Sequence, residues 1–144
     1  MLFGKRKRIV KRILVVEDEP LTAFDNETML GDAGYEVVAT IDNFDDAIAL
    51  LDRGKVDLVL SDVRLQGERT GLDLAKAAAN RGVPILFATG HKLPEESRQL
   101  AVGCISKPYT ERTLKRALEC VDKHLACEPA KPPKGVELFV PNEG

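Results

Sequence analysis

Glu17 and Asp18 follow the apolar run RILVV, Asp62 follows LVLS, Thr89 follows PILFA, and Lys107 follows CIS. Each of these polar residues stands where a short apolar segment stops. Three carboxylates gathered at one place repel one another unless a cation sits among them. Hard oxygen donors in small number suit Mg²⁺, which keeps several waters and welcomes anionic oxygens as further ligands. A lysine beside them could hold Asp62 ionised and pair with a transferred anionic group. Taken alone, Asp62 is ambiguous, because Asp also ends strands as a turn residue that bonds nearby amides. Five such residues at the ends of four strands are harder to dismiss, since buried charge is costly and tends to mark function.

For these residues to meet, the segments before them must be neighbouring strands. Arg12–Val16 reads as the first strand, stopped by EDEP, and Pro20 suits the first turn of a helix running to about Ala33. Tyr35–Thr40 is the second strand. Asn43 caps a second helix in which Phe44, Ala47, Ile48 and Leu51 share a face, and Gly54 ends it. Val56–Ser61 is the third strand. The loop RLQGERTG leads to a helix over about Leu72–Arg81, and Gly82 stops it. Pro84–Ala88 is the fourth strand, Glu95–Val102 a short helix, and Cys104–Ser106 the fifth strand. The last helix, Glu111–Ala126, places Leu114, Ala117, Leu118, Val121 and Leu125 at helical spacing.

Strand and helix alternate five times, which predicts an α/β fold: a doubly wound (βα)5 parallel sheet with helices on both faces. In such sheets the ligand site lies beyond the strand C-termini, where the strand order reverses. For the flavodoxin-like order 2-1-3-4-5, that point falls between the first and third strands, beside Glu17, Asp18 and Asp62.

VVEDEP, LVLSD, FATG and SKP occur here in the order and spacing found in the receiver domain of two-component response regulators, and the chain resembles that family over about residues 12–126. The resemblance implies that Asp62 is the phosphoacceptor. It also implies that Glu17, Asp18, Asp62 and the backbone carbonyl of Arg64 hold Mg²⁺, that Thr89 bonds the phosphoryl group, and that Lys107 pairs with it. The implied partners are a sensor histidine kinase or histidine phosphotransfer protein upstream and a protein partner downstream, with a homodimer possible. A cis Lys107–Pro108 bond is expected on the same ground. The phrase FATG further resembles the single-domain regulators named for a FAT GUY motif, although here it continues as His91-Lys92 without the final aromatic. A second departure is Cys104, three residues before Lys107, where receivers usually carry Tyr or Phe. His91 and Arg64 stand at positions that in the family tune hydrolysis of the acyl phosphate.

Two rival chemistries fit less well. A flavodoxin needs a loop of amide donors after the first strand to cradle a phosphate, and EDEP offers carboxylates. A phosphatase of the haloacid-dehalogenase type needs a second Asp two residues after the nucleophile, where this chain has Arg64.

Composition sets the remaining bounds. A chain of 144 residues, 44% hydrophobic, can bury one respectable core. No stretch approaches the ~20 apolar residues of a membrane span, and no secretory signal is evident, so a cytoplasmic protein is expected. Six Lys/Arg and no acid fall in the first twelve residues, leaving 15 basic against 23 acidic residues in the rest. An acidic body argues against broad nucleic-acid binding. With 18 residues after Ala126, no DNA-binding module is expected. Cys120, His124 and Cys127 could share a helix face, but a closed zinc site needs a fourth ligand. The chain thus divides into a basic leader (1–11), a receiver domain (12–126), and a linker and C-terminal tail (127–144). In the tail, EPAKPPKG is linker-like, and GVELFVP alternates as an extended strand or docking peptide would. The tail is therefore either a frayed end or a strand packed on its own domain or on a neighbouring subunit.

Overall fold

The computed structural model describes residues 8–64, 70–90 and 92–139. Its elements run β1 (Arg12–Val16), α1 (Pro20–Asp32), β2 (Glu36–Ile41), α2 (Phe44–Asp52), β3 (Leu58–Asp62) and α3 (Gly71–Asn80). They continue with β4 (Ile85–Thr89), α4 (Ser97–Leu100), β5 (Gly103–Ser106), α5 (Glu111–Leu125) and β6 (Val136–Leu138). The sheet order is β2-β1-β3-β4-β5-β6. The first five strands are parallel, in the flavodoxin-like arrangement. The sixth strand is antiparallel to β5 and closes one edge of the sheet.

The central strands β1, β3 and β4 are buried on both sides, so alternate residues serve different cores. Ile13, Val15, Leu58, Leu60 and Ile105 join Leu30 of α1 and Leu114, Leu118 and Val121 of α5 on one face. Leu14, Val16, Val59, Ile85 and Phe87 join Ala47 and Leu51 of α2 and Leu74, Ala75 and Ala78 of α3 on the other. A one-residue slip in any central strand would exchange these two sets, so the register is strongly specified. Side-chain caps fix three helix starts. Asn43 accepts from the Asp46 amide, Thr70 forms a capping box with Asp73, and Thr110 accepts from the Thr113 amide.

Two regions add to the sequence reading. The last residues of the basic leader are packed on the body: Val10 is buried, and Asp122 of α5 accepts hydrogen bonds from the Ile9 and Val10 amides, both at 2.8 Å. Arg8 lies 4.4 Å from the ring centroid of Tyr35 and donates to the carbonyls of Ala33 and Gly34. At the other end, α5 stops at Leu125, and Cys127 lies beyond it with a φ of 59°. Cys127 therefore does not share the helix with Cys120 and His124. Of the tail, residues 136–138 form β6, while Val140, included in the alternating pattern, lies outside the described residues.

Candidate functional site

The C-terminal ends of β1 and β3 lie side by side, with Val16 opposite Ser61. The next residues along these two strands are Glu17 and Asp62, so strand pairing alone places their carboxylates together. Carboxylate oxygens of Glu17, Asp18 and Asp62 all lie within 4.8 Å of one another. Glu17 is buried, Asp62 partly so, and Asp18 faces solvent. Two backbone amides begin to satisfy the charges. The Glu19 amide donates to Glu17 Oε2 at 3.2 Å, and the Arg64 amide donates to Asp62 Oδ1 at 3.0 Å.

Lys107, carried just past β5, reaches into this cluster. Its Nζ donates to Glu17 Oε1 at 2.7 Å and to Asp62 Oδ2 at 2.8 Å. Burial alone would lower the Lys107 pKa, but the hydrogen bonds and charges of Asp62 and Glu17 outweigh it, and the ammonium is held above its ordinary value. The Lys107 amide donates to the Thr89 carbonyl at 2.9 Å, fixing the end of β5 to the end of β4. The Lys107–Pro108 bond is cis, as the resemblance implies. Asp18, Asp62, Arg64, Thr89 and Lys107 line one open crevice of about 500 Å³, together with Lys92, Leu93 and Pro94. All the site residues singled out in the sequence thus lie in or against this crevice, except His91, which is outside the described residues.

Three contributors escaped the sequence reading. Lys92 adds a second cation to the crevice wall. On the far side of Lys107, the Tyr109 hydroxyl donates to Asn26 Oδ1 at 2.6 Å, and these two residues line a second hollow with Lys107 and Pro108. Asn26 is buried, and burial pushes the Tyr109 phenol up to about 12. The sequence carried no clear signal for this pair, because α1 has the weakest apolar pattern of the long helices and its inward face, on which Asn26 lies, could not be read from it.

The donor set fits a hard cation. Three carboxylates from two adjacent strand ends converge, and the exposed position of Asp18 leaves room for the waters that Mg²⁺ retains. Residues 13–119 match the response regulator receiver domain. The chain belongs to that family. As a receiver domain it is a two-component signal transduction module, and its acidic cluster is typical of the receiver Mg²⁺ site.

Among its relatives, the transcriptional regulatory protein PdtaR of Mycobacterium tuberculosis is 33% identical over 116 residues, covering 77% of this chain and 56% of PdtaR. The chain thus spans about half the length of that longer protein. Protein PilH of Pseudomonas aeruginosa is 30% identical over 117 residues, covering 76% of this chain and 96% of PilH. Among solved structures, the chemotaxis response regulator CheY4 of Vibrio cholerae superposes with a TM-score of 0.70 at 30% identity, over 78% of this chain and 98% of that one. Among the described residues, no helix is long and apolar enough to cross a membrane.

Proposed function

We propose that this receiver domain is phosphorylated on Asp62 by a histidine kinase or histidine phosphotransfer protein, and that it signals by protein contact or by passing the phosphoryl group onward. One observation carries the reading: Asp62 stands at the end of a buried strand with two further carboxylates and a lysine ammonium converging on it. Glu17, Asp18, Asp62 and the backbone carbonyl of Arg64 would hold Mg²⁺. When bound, the ion supplies positive charge that offsets the carboxylates and the phosphoryl oxygens.

The residues themselves account for the rest of the chemistry. An Asp62 carboxylate oxygen attacks phosphorus in line. The new O–P bond forms as the N–P bond of the donor phosphohistidine breaks, and the electron pair leaves with the imidazole. Lys107, already bonded to Asp62 Oδ2, is placed to pair with the equatorial oxygens as negative charge builds there. Thr89, on the crevice wall, supplies a hydroxyl to the same group. Leu21 and Phe24 are 74% and 64% exposed on α1, within two turns of Asp18, and give a phosphodonor protein an apolar surface to grip. The FATG phrase at residues 87–90 supports placing the protein with the single-domain FAT GUY group.

Acetyl phosphate with Mg²⁺ should raise the intact mass by one phosphoryl group in the parent and not in Asp62→Asn. Stable labelling of the Asn variant would move the acceptor elsewhere. Replacing Leu21 and Phe24 by Ser should leave acetyl phosphate labelling intact and slow transfer from a phosphorylated kinase.

A further inference from the structure

Segment 135–139 contributes nothing to the acidic crevice, yet the edge of β5 is shaped to receive it. A Cβ on Gly103 would collide with the Glu137 carbonyl oxygen and lie 3.1 Å from Leu138 Cα, so the missing side chain is what lets β6 approach. Both ends of the ladder are closed by further bonds. The Ser106 amide donates to the Gly135 carbonyl at 2.8 Å, and the Phe139 amide donates to the Val102 carbonyl at 2.9 Å. Side chains then divide by face. Val136 and Leu138 join the core beneath α1 and α5. Phe139 is buried in the opposite core, and Glu137 is held from α4 by Arg98, Nη1 to Oε2 at 2.8 Å. The Arg98 guanidinium also lies 5.1 Å from the Phe139 ring centroid.

Two connections run from this segment to the site. Ser106, bonded to Gly135, immediately precedes Lys107, whose ammonium holds Glu17 and Asp62. In addition, Thr89 and Phe139 line one cavity of about 480 Å³, together with Cys104 and Arg98. Thr89 also belongs to the wall of the acidic crevice. The tail therefore packs against elements that carry two of the crevice residues.

Segment 135–139 thus occupies the β5 edge beside Arg98 of α4, and we propose that filling the Asp62 site seats it more tightly. The inference rests on the phosphoacceptor reading above. A phosphoryl group on Asp62 draws the Thr89 hydroxyl and the Lys107 ammonium toward its oxygens. Thr89 then withdraws from the wall it shares with Phe139, and atoms lining the widened cavity lose contacts. The Phe139 ring, the larger of the two big apolar side chains on that cavity beside Leu93, moves inward to fill it, carrying β6 with it. By linkage, a seated tail must in turn favour the occupied site.

Beryllofluoride with Mg²⁺, a mimic of the bound phosphoryl group, tests this on the full chain with two readouts: hydrogen exchange at the Phe139 amide, and affinity for the mimic. In the parent, the mimic should slow Phe139 exchange by about tenfold, within the usual range of coupling between sites. Gly103→Val, whose new atoms meet β6, should lose this protection and bind the mimic several-fold more weakly. Arg98→Glu should show a smaller loss, and Arg98→Glu with Glu137→Arg should restore it, which keeps the test decisive if Gly103→Val fails to fold. Undiminished binding with unchanged or faster Phe139 exchange overturns the inference alone. Failure of the parent to bind the mimic overturns the phosphoacceptor reading and this inference together.

Discussion

Lys107 is the residue on which the resting site depends. One ammonium serves two carboxylates, Glu17 and Asp62, at 2.7 and 2.8 Å, with a third carboxylate close by. Removing it leaves the buried Glu17 without its cation and turns the cluster into unrelieved repulsion. Lys107→Ala should therefore destabilise the fold by ~1–3 kcal/mol, below the range for fully buried pairs because the lysine is partly exposed. Asp62→Asn should act in the opposite sense on the same cluster, because it removes one of the repelling charges. Combining the two should recover part of the Lys107→Ala loss, a non-additivity expected of residues in direct contact. Urea midpoints of the two single variants and the double variant measure this. Strict additivity would show that Lys107 does not relieve the cluster.

Among the elements, the β3–α3 junction holds Asp62 most directly. A Cβ on Gly71 would lie 2.5 Å from the Val63 carbonyl oxygen and 2.8 Å from that of Asp62, both of them backbone. Gly71→Ala must push the start of α3 away from the strand end, at ~1–3 kcal/mol by analogy with overpacking. It should also slow acetyl phosphate labelling with Asp62 itself intact, read by urea unfolding and mass spectrometry. Unchanged stability and rate would show that the junction yields freely. The same elements explain what the sequence could and could not reveal. Buried strands such as Leu58–Asp62 read as apolar runs that end in the site residue, so both the sheet and the crevice positions were legible. Helix α1 was placed by Pro20, but its face was obscure, since Leu21 and Phe24 are exposed while Asn26 is buried. Helix α4 is only Ser97–Leu100, shorter than the expected Glu95–Val102. Ala101 is already extended, and the Val102 amide bonds the Ile85 carbonyl on the way into β5. The alternation of the tail was visible. Its partner was not, because a Gly103 that admits a sixth strand looks like any other glycine until β5 and β6 are side by side.

The molecule as a whole holds several groups in their protonated form, which gives it an alkaline limit. Burial pushes the Cys104 and Cys120 thiols above their ordinary 9.0, with the Glu137 charge adding to the effect at Cys104. Burial likewise raises both tyrosines of the chain, Tyr35 against the opposing charge of Arg8, and Tyr109 from 10.0 to about 12. Lys107 is raised by its two carboxylate partners, which outweigh its burial. A group whose folded pKa lies above its unfolded one contributes stability that is complete below the unfolded value. That contribution is lost as pH climbs through the folded value. All five groups share this sign, so their losses accumulate from about pH 9 upward rather than cancelling. For Tyr109 alone the loss between pH 10 and 12 is ~2–3 kcal/mol, at about 1.4 kcal/mol per pH unit. Tyr109 is bonded to Asn26 of α1, and Tyr35 lies beneath Arg8 in the chain segment that α5 ties down through Asp122. Ionising either one therefore strains the packing of α1 and α5 on a common face of the sheet. Stability measured by urea unfolding should fall steadily from about pH 9. Phenolate absorbance from Tyr109 should stay absent near pH 10 in the folded protein and appear only toward pH 12, while that of Tyr35 should appear above its ordinary value. A tyrosine that ionises reversibly near pH 10 with the fold intact would show that its face of the core is open to water.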